Sequence, residues 1–203
     1  VKAAVPLLLA GLVMAGCATT ATPPPTVVSD TPTASTTPVA TGRPALPVSV
    51  DIPAINVHAA HLTALGLNKD GSPSTPPTNT PQILGYYGYG GAPCQPGASK
   101  VPFVLIGHVD GNKQQGVFYQ LKTLKPGATI TVGLDNGKSC TYHVNKLAEY
   151  KKQDLAQKNA AAAKQIWGPV PDGEIRLISC GGQFIGPPLY YQDNLVGVGT
   201  LVT

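Results

Sequence analysis

From Leu46 onward, apolar and polar positions alternate in short runs, with the two-residue period of half-buried strands. Val48, Val50 and Ile52 alternate with Ser49 and Asp51, and Ile55 and Val57 resume the pattern beyond Pro53, which predicts a strand, a kink and a second short strand. Pro102 to His108 (PFVLIGH) is a continuous apolar run ending in Gly-His, as expected of a strand buried on both faces. Thr129 to Leu134 (TITVGL) and Cys140 to Leu147 (CTYHVNKL) flank Asp135-Asn136-Gly137, a hairpin signal because Asn and Gly tolerate the left-handed backbone of tight turns. Glu174 to Cys180 (EIRLISC) predicts a strand stopped by Gly181-Gly182, and Leu195 to Val202 (LVGVGTLV) a last strand. One helix is expected between Asp154 and Ile166, with Asp154 as its cap, and a short helical turn within Gly116 to Leu124. Many short strands and few helices predict a mainly β domain, closed or nearly closed into a barrel because closure removes exposed edges.

The N-terminal pattern differs. Lys2 precedes an uncharged apolar run from Ala3 to Met14, too short for a comfortable membrane span and ending in Ala15-Gly16-Cys17, which predicts an export signal over 1–17. Its end resembles a bacterial lipobox, in which Cys17 is lipidated and becomes the mature N-terminus, although Met14 stands where Leu is usual. The alternative is an ordinary signal peptide. Residues 18–45 are nearly all Thr, Pro, Ala, Ser and Val, a disordered, proline-extended tether. The domain proper is expected over 46–203, outside the cytoplasm at the outer face of the membrane. Composition fits this: 12% charged residues, 23 Gly and 21 Pro suit a loop-rich β protein rather than a helical bundle. A scattered net charge of +4 and 6% aromatics exclude nucleic-acid binding.

The candidate chemistry lies at two predicted strand ends. Cys180 precedes two glycines, and His108 stands in Gly107-His108-Val109-Asp110-Gly111. A thiol near pKa 8.5 is a weak nucleophile until a neighbouring His or cation favours the thiolate. Gly181 and Gly182 would let a substrate backbone approach closely and offer N–H groups to an oxyanion. Read singly, each residue has a bland account, a buried thiol or a structural imidazole.

The string GHVDG at 107–111, then Gly116-Val117-Phe118-Tyr119 and Leu124-Lys125-Pro126-Gly127, resembles the histidine segment of sortases, closest to the class F type of actinobacteria. LISCGGQF at 177–184 resembles that family's cysteine strand, Val50 to Val57 its first strand pair, and Asp193-Asn194-Leu195-Val196 the start of its last strand. The motifs fall in family order and span about Leu46 to Val202. The resemblance implies an eight-stranded β-barrel with one or two short helices. It also implies a transpeptidase in which Cys180 forms a thioester on a C-terminal sorting signal, His108 protonates the leaving amine, and an amine from peptidoglycan or a pilin resolves the thioester. Ser179, Gly181, Gly182 and Tyr191 are then expected to bind substrate, and the segment Ala148 to Gly173 to set specificity.

Two departures from the family pattern stand out. Ser179 replaces the usual Thr before the Cys, keeping a hydroxyl. Gln192 stands where an Arg is expected, and the chain has only Arg43 and Arg176. Arg176 shares a strand face with Cys180 but lies roughly 13 Å along it, a poor substitute. Cys94 and Cys140 are candidates for a disulfide in an oxidising compartment, with two unpaired thiols as the alternative. His58, His61 and His143 lack ligand-like spacing, so no metal and no cofactor is expected. Two other functions compete: a degenerate sortase that binds peptide without turnover, for which the missing Arg speaks, and an L,D-transpeptidase, whose Ser-His-Gly-Cys type of motif is absent because Cys180 follows Ile178-Ser179.

Overall fold

The computed structural model describes residues 43–89, 91–95, 100–156, 160–170, 173–188 and 190–202. The export segment 1–17 with Cys17, and all but the last three residues of the tether 18–45, lie outside them. The strands are β1 (Pro47–Ile52), β2 (Val57–Ala59), β3 (Leu62–Leu65), β4 (Leu84–Tyr87), β5 (Phe103–Ile106), β6 (Asp110–Gly111), β7 (Gln114–Gln115), β8 (Thr129–Leu134), β9 (Ser139–Lys151), β10 (Glu174–Gly186) and β11 (Tyr190–Leu201). Two short helices, α1 (Lys152–Ala156) and α2 (Ala160–Trp167), join β9 to β10, and 3-10 turns occupy Pro53–Ile55 and Leu121–Thr123.

Nine strands form one sheet in the order β2-β1-β8-β9-β11-β10-β5-β4-β3, and β6 and β7 make a separate ribbon. Pairing is antiparallel except for β5 with β10 and β3 with β4. The two edge strands, β2 and β3, are consecutive in sequence, with only Ala60 and His61 between them. Three Cα steps span at most about 11 Å, so the opposite edges must lie close together and the sheet is curled nearly shut. This corrects the expected count of eight strands, and of full and near closure the sheet takes the second. The break at Ala60-His61 lets the chain leave one edge and start the other, which adds a ninth strand and leaves the seam.

Two further expectations change. β10 does not stop at Gly181-Gly182 but runs to Gly186, its register against β11 shifting between Gly181 and Phe184. Gly182 sits in this irregularity with φ +71°, where a side chain would be strained, and a Cβ would come within 2.4 Å of Asp193 Oδ2. The helix expected over Asp154 to Ile166 is replaced by two, starting at Lys152, because β9 continues against β11 as far as Lys151. The short helical turn expected within Gly116 to Leu124 is present at Leu121–Thr123.

The sheet buries both faces. Inside the barrel Ile52, Leu105, Phe118, Leu121, Ile130, Ile175 and Leu177 are completely buried. On the outside, Val104, Ile106, Ile178, Val196 and Val198 form a second core with Ile166 of α2, against which Leu155 of α1 packs. Cys94 and Cys140 are joined in a disulfide with Cα atoms 5.4 Å apart, tying the loop after β4 to β9. The Cys94 N–H donates to the Tyr142 hydroxyl at 2.9 Å.

Candidate active site

Alternation along β10 decides where the thiol points. Ile175 and Leu177 face the barrel interior, whereas Ile178 faces outward beneath the helices. Cys180 shares the outward face with Ile178. It is half-buried, is the free cysteine among the described residues, and pairs across the ladder with Asn194 of β11. Cys180 therefore lies within a strand, not at its end, and reaches solvent because the roof of α1 and α2 does not fully cover it.

The strand β5 runs parallel to β10 with Ile106 beside Ile178, and the Gly107 N–H extends that ladder by donating to the Ile178 carbonyl at 3.1 Å. Two residues beyond that last pair on each chain are His108 and Cys180, so both follow the same end of two adjacent strands. The glycines of this motif have a steric reason. A Cβ at Gly107 would come within 2.5 Å of Val117 Cγ1, and one at Gly116 within 2.1 Å of the His108 carbonyl oxygen. Phe118 N–H closes the lock by donating to that carbonyl at 2.9 Å. The His108 Nε2–H donates to the Pro76 carbonyl at 2.7 Å. With Nε2 holding a hydrogen, Nδ1 is the ring nitrogen left to take and give a proton.

His108 and Cys180 together line two clefts. One, of about 370 Å³, is walled by Thr75, Tyr87, Ile106, Leu155, Trp167, Ile178, Ser179 and Asn194. The other, of about 500 Å³, is walled by Thr78, Asp110, Asn112, Lys152, Phe184, Tyr190 and Tyr191. Lys152 Nζ donates to Cys180 Sγ at 3.4 Å. The Tyr191 hydroxyl donates to Asp110 Oδ2 at 2.5 Å. Burial first, then Asp110, push the Tyr191 phenol up to about 12, so it stays a donor at neutral pH. Phe184 packs edge-on against Tyr191 with ring centres 5.3 Å apart.

The remaining expected residues fall as follows. Ser179 is buried, and its Oγ, like Asp193 Oδ1, has no hydrogen-bond partner. Gly181 pairs with Asp193, and neither Gly181 nor Gly182 lines either cleft. Gln192 lies two residues from Asn194, hence on the face of Cys180, but lines neither cleft. Arg176 is 5% exposed, donates from Nε to Glu174 Oε1 at 2.8 Å, and is likewise absent from both clefts. Lys152, Asn194 and Pro76 were not anticipated. No local motif marks Lys152 or Pro76, whereas Asn194, two residues past the expected Arg position, carried a usable signal.

Thioester chemistry requires a thiol and a proton carrier that face one substrate, and both clefts offer the pair. Residues 50–202 match the family model for the sortase domain, and the chain belongs to the sortase family, whose members are cysteine transpeptidases. No curated protein matches the chain in sequence. Among solved structures, sortase C-1 from Actinomyces oris aligns at TM-score 0.55 and 20% identity, covering 79% of this chain and 76% of that one. A lid mutant of sortase A from Corynebacterium diphtheriae aligns at TM-score 0.54 and 21% identity, covering 82% and 74%. These likenesses establish the mainly β sortase fold.

Proposed function

We propose that this chain is a cell-envelope cysteine transpeptidase of the class F type, with Cys180 as nucleophile and His108 as proton carrier. The observation that carries the reading is that these two residues, 72 positions apart in sequence, line the same two clefts on the sheet's outer face. The Cys180 thiolate attacks the carbonyl carbon of a scissile peptide bond in a sorting signal. The tetrahedral intermediate collapses by breaking the C–N bond, and His108 passes its proton to the leaving amine. An incoming amine of a peptidoglycan or pilin acceptor then gives a proton to neutral His108 and attacks the thioester carbon. The C–S bond breaks and the thiolate returns. Tyr191, Phe184 and Tyr190 furnish one apolar wall for the peptide, and Leu155 and Trp167 from the helical segment furnish the other. The glycines support β10's irregular course, which is a better account of them than direct substrate contact.

Export and anchoring through Cys17 at the outer membrane face complete the reading. Among the described residues no helix is long and apolar enough to cross a membrane. Fatty-acid labelling that disappears in Cys17→Ala tests the anchor, and an unlabelled wild-type chain free in the medium would remove it. The enzymatic reading is tested by transfer of sorting peptides from a broad library to a small amine. Product is expected with the wild type and not with Cys180→Ala or His108→Ala. Gln192 in place of a charged residue favours a second reading, a sortase-like binder without turnover. Tight peptide binding with no transfer product would select it.

A further inference from the structure

We infer that Lys152 supplies the positive charge of this site, taking the place that Gln192 leaves neutral. The inference deepens the proposed acyl-transfer reading and rests on it. β11 lies between β9 and β10, and the ladder rows run Tyr150, Asn194, Cys180 across the three strands. The last pair of β9 with β11 is Lys151 with Asp193, and Lys152 and Gln192 are the residues just beyond it on the two chains. At this point β9 gives way to α1, and the ammonium reaches back to Cys180 Sγ at 3.4 Å. The other candidate, Arg176, is buried against Glu174.

The groups that face the thiol are few. β4 brings Tyr87, the β5–β6 connection His108, β6 Asp110, and β11 Tyr190 and Tyr191, while Asp193 lies on the interior side of β11. Asp110 is engaged by the Tyr191 hydroxyl. Among the described residues lining either cleft, Lys152 carries the one permanent positive charge. An ammonium beside sulfur favours thiolate over thiol. When the thiolate attacks a carbonyl carbon, the negative charge moves from Sγ to the carbonyl oxygen. Lys152 stays charged throughout, neither giving nor taking a proton, and its three N–H donors can turn toward that oxygen.

Alkylation of the full chain by iodoacetamide as a function of pH, with the label mapped to Cys180 and Cys180→Ala as the blank, reads this directly without a peptide substrate. In Lys152→Met the midpoint of the pH profile is expected to rise by about one unit, a tenfold smaller thiolate fraction below it. The alkylation rate at pH 7 should fall only about threefold, because a more basic thiolate is also the better nucleophile. Lys152→Arg should keep the wild-type midpoint, and Lys152→Met/Gln192→Arg should recover it. Lys152→Gln serves as a second neutral variant, with circular dichroism confirming the fold of each. Profiles of folded Lys152→Met and Lys152→Gln that superpose on the wild type would overturn the inference. If the midpoint shifts while the wild type transfers no peptide, Lys152 remains the thiolate's partner and the transpeptidase reading alone fails.

Discussion

The two faces of β10 serve different ends. On the inside, Ile175 and Leu177 are fully buried in the barrel core and carry stability. On the outside, the same alternation presents Ile178 and Cys180 to a layer roofed by α1 and α2, where the clefts open. A rigid inner face fixes the height and direction of the thiol, and a partly open outer face lets substrate reach it. Chemistry built on the outer face of a well-packed strand gains positional precision that a loop would not provide.

This division is broken most sharply by Cys180→Ala. Peptide transfer is expected to fall below detection, while unfolding free energy by urea titration changes by less than about 0.5 kcal/mol at a half-buried position. A large loss of stability would mean the thiol is core rather than equipment. Removing the disulfide with Cys94→Ala/Cys140→Ala acts on the opposite side of the comparison. With a sequence separation of 46, chain-entropy reasoning gives a loss of about 4 kcal/mol, again read by urea titration. Leu177→Ala, completely buried on the inner face, is expected to cost about 2–5 kcal/mol while leaving the alkylation profile of Cys180 in the folded fraction unchanged.

Smaller effects sharpen the outer face. Gln192→Arg is expected to raise acyl-enzyme formation by less than about tenfold in the wild-type background, because Lys152 already supplies a charge, and by more in Lys152→Met. Equal gains in both backgrounds would separate the two residues. The smallest effect concerns Tyr87, whose hydroxyl donates to the Ser74 carbonyl at 2.6 Å and holds the loop that carries Pro76 and Thr75. Burial pushes its phenol from 10 up to about 12. Because the folded value is above the unfolded one, its contribution is whole below pH 10 and is lost as pH rises through 12. Tyr87→Phe should cost about 1 kcal/mol at neutral pH and flatten the fall in stability between pH 10 and 12.

The strands were legible where burial imposes a plain pattern, the two-residue period of β1 and β8 or the unbroken apolar run of β5, and the family resemblance placed His108 and Cys180 in order along the chain. What sequence hid was set by pairing at a distance. β10 outlasts Gly181-Gly182 because Phe184 and Gly186 find partners in Tyr191 and Tyr190 of β11, so two glycines that locally read as a stop become an irregularity within a longer ladder. β9 continues to Lys151 for the same reason, and this moves the start of the helical segment to Lys152. Lys152 was invisible as a site residue because its neighbour, Cys180, is 28 positions away and is reached only once three strands are in register. The disulfide was open for a similar reason, since Cα separation is not written in local pattern.

The most direct measurement is intact-mass analysis of the full chain after exposure to a sorting-peptide library, followed by peptide mapping. An acyl adduct on Cys180, released by hydroxylamine as a thioester must be and absent from Cys180→Ala, is the expected result. A transfer-active protein whose adduct maps to any residue other than Cys180, or which transfers peptide unchanged as Cys180→Ala, would contradict it.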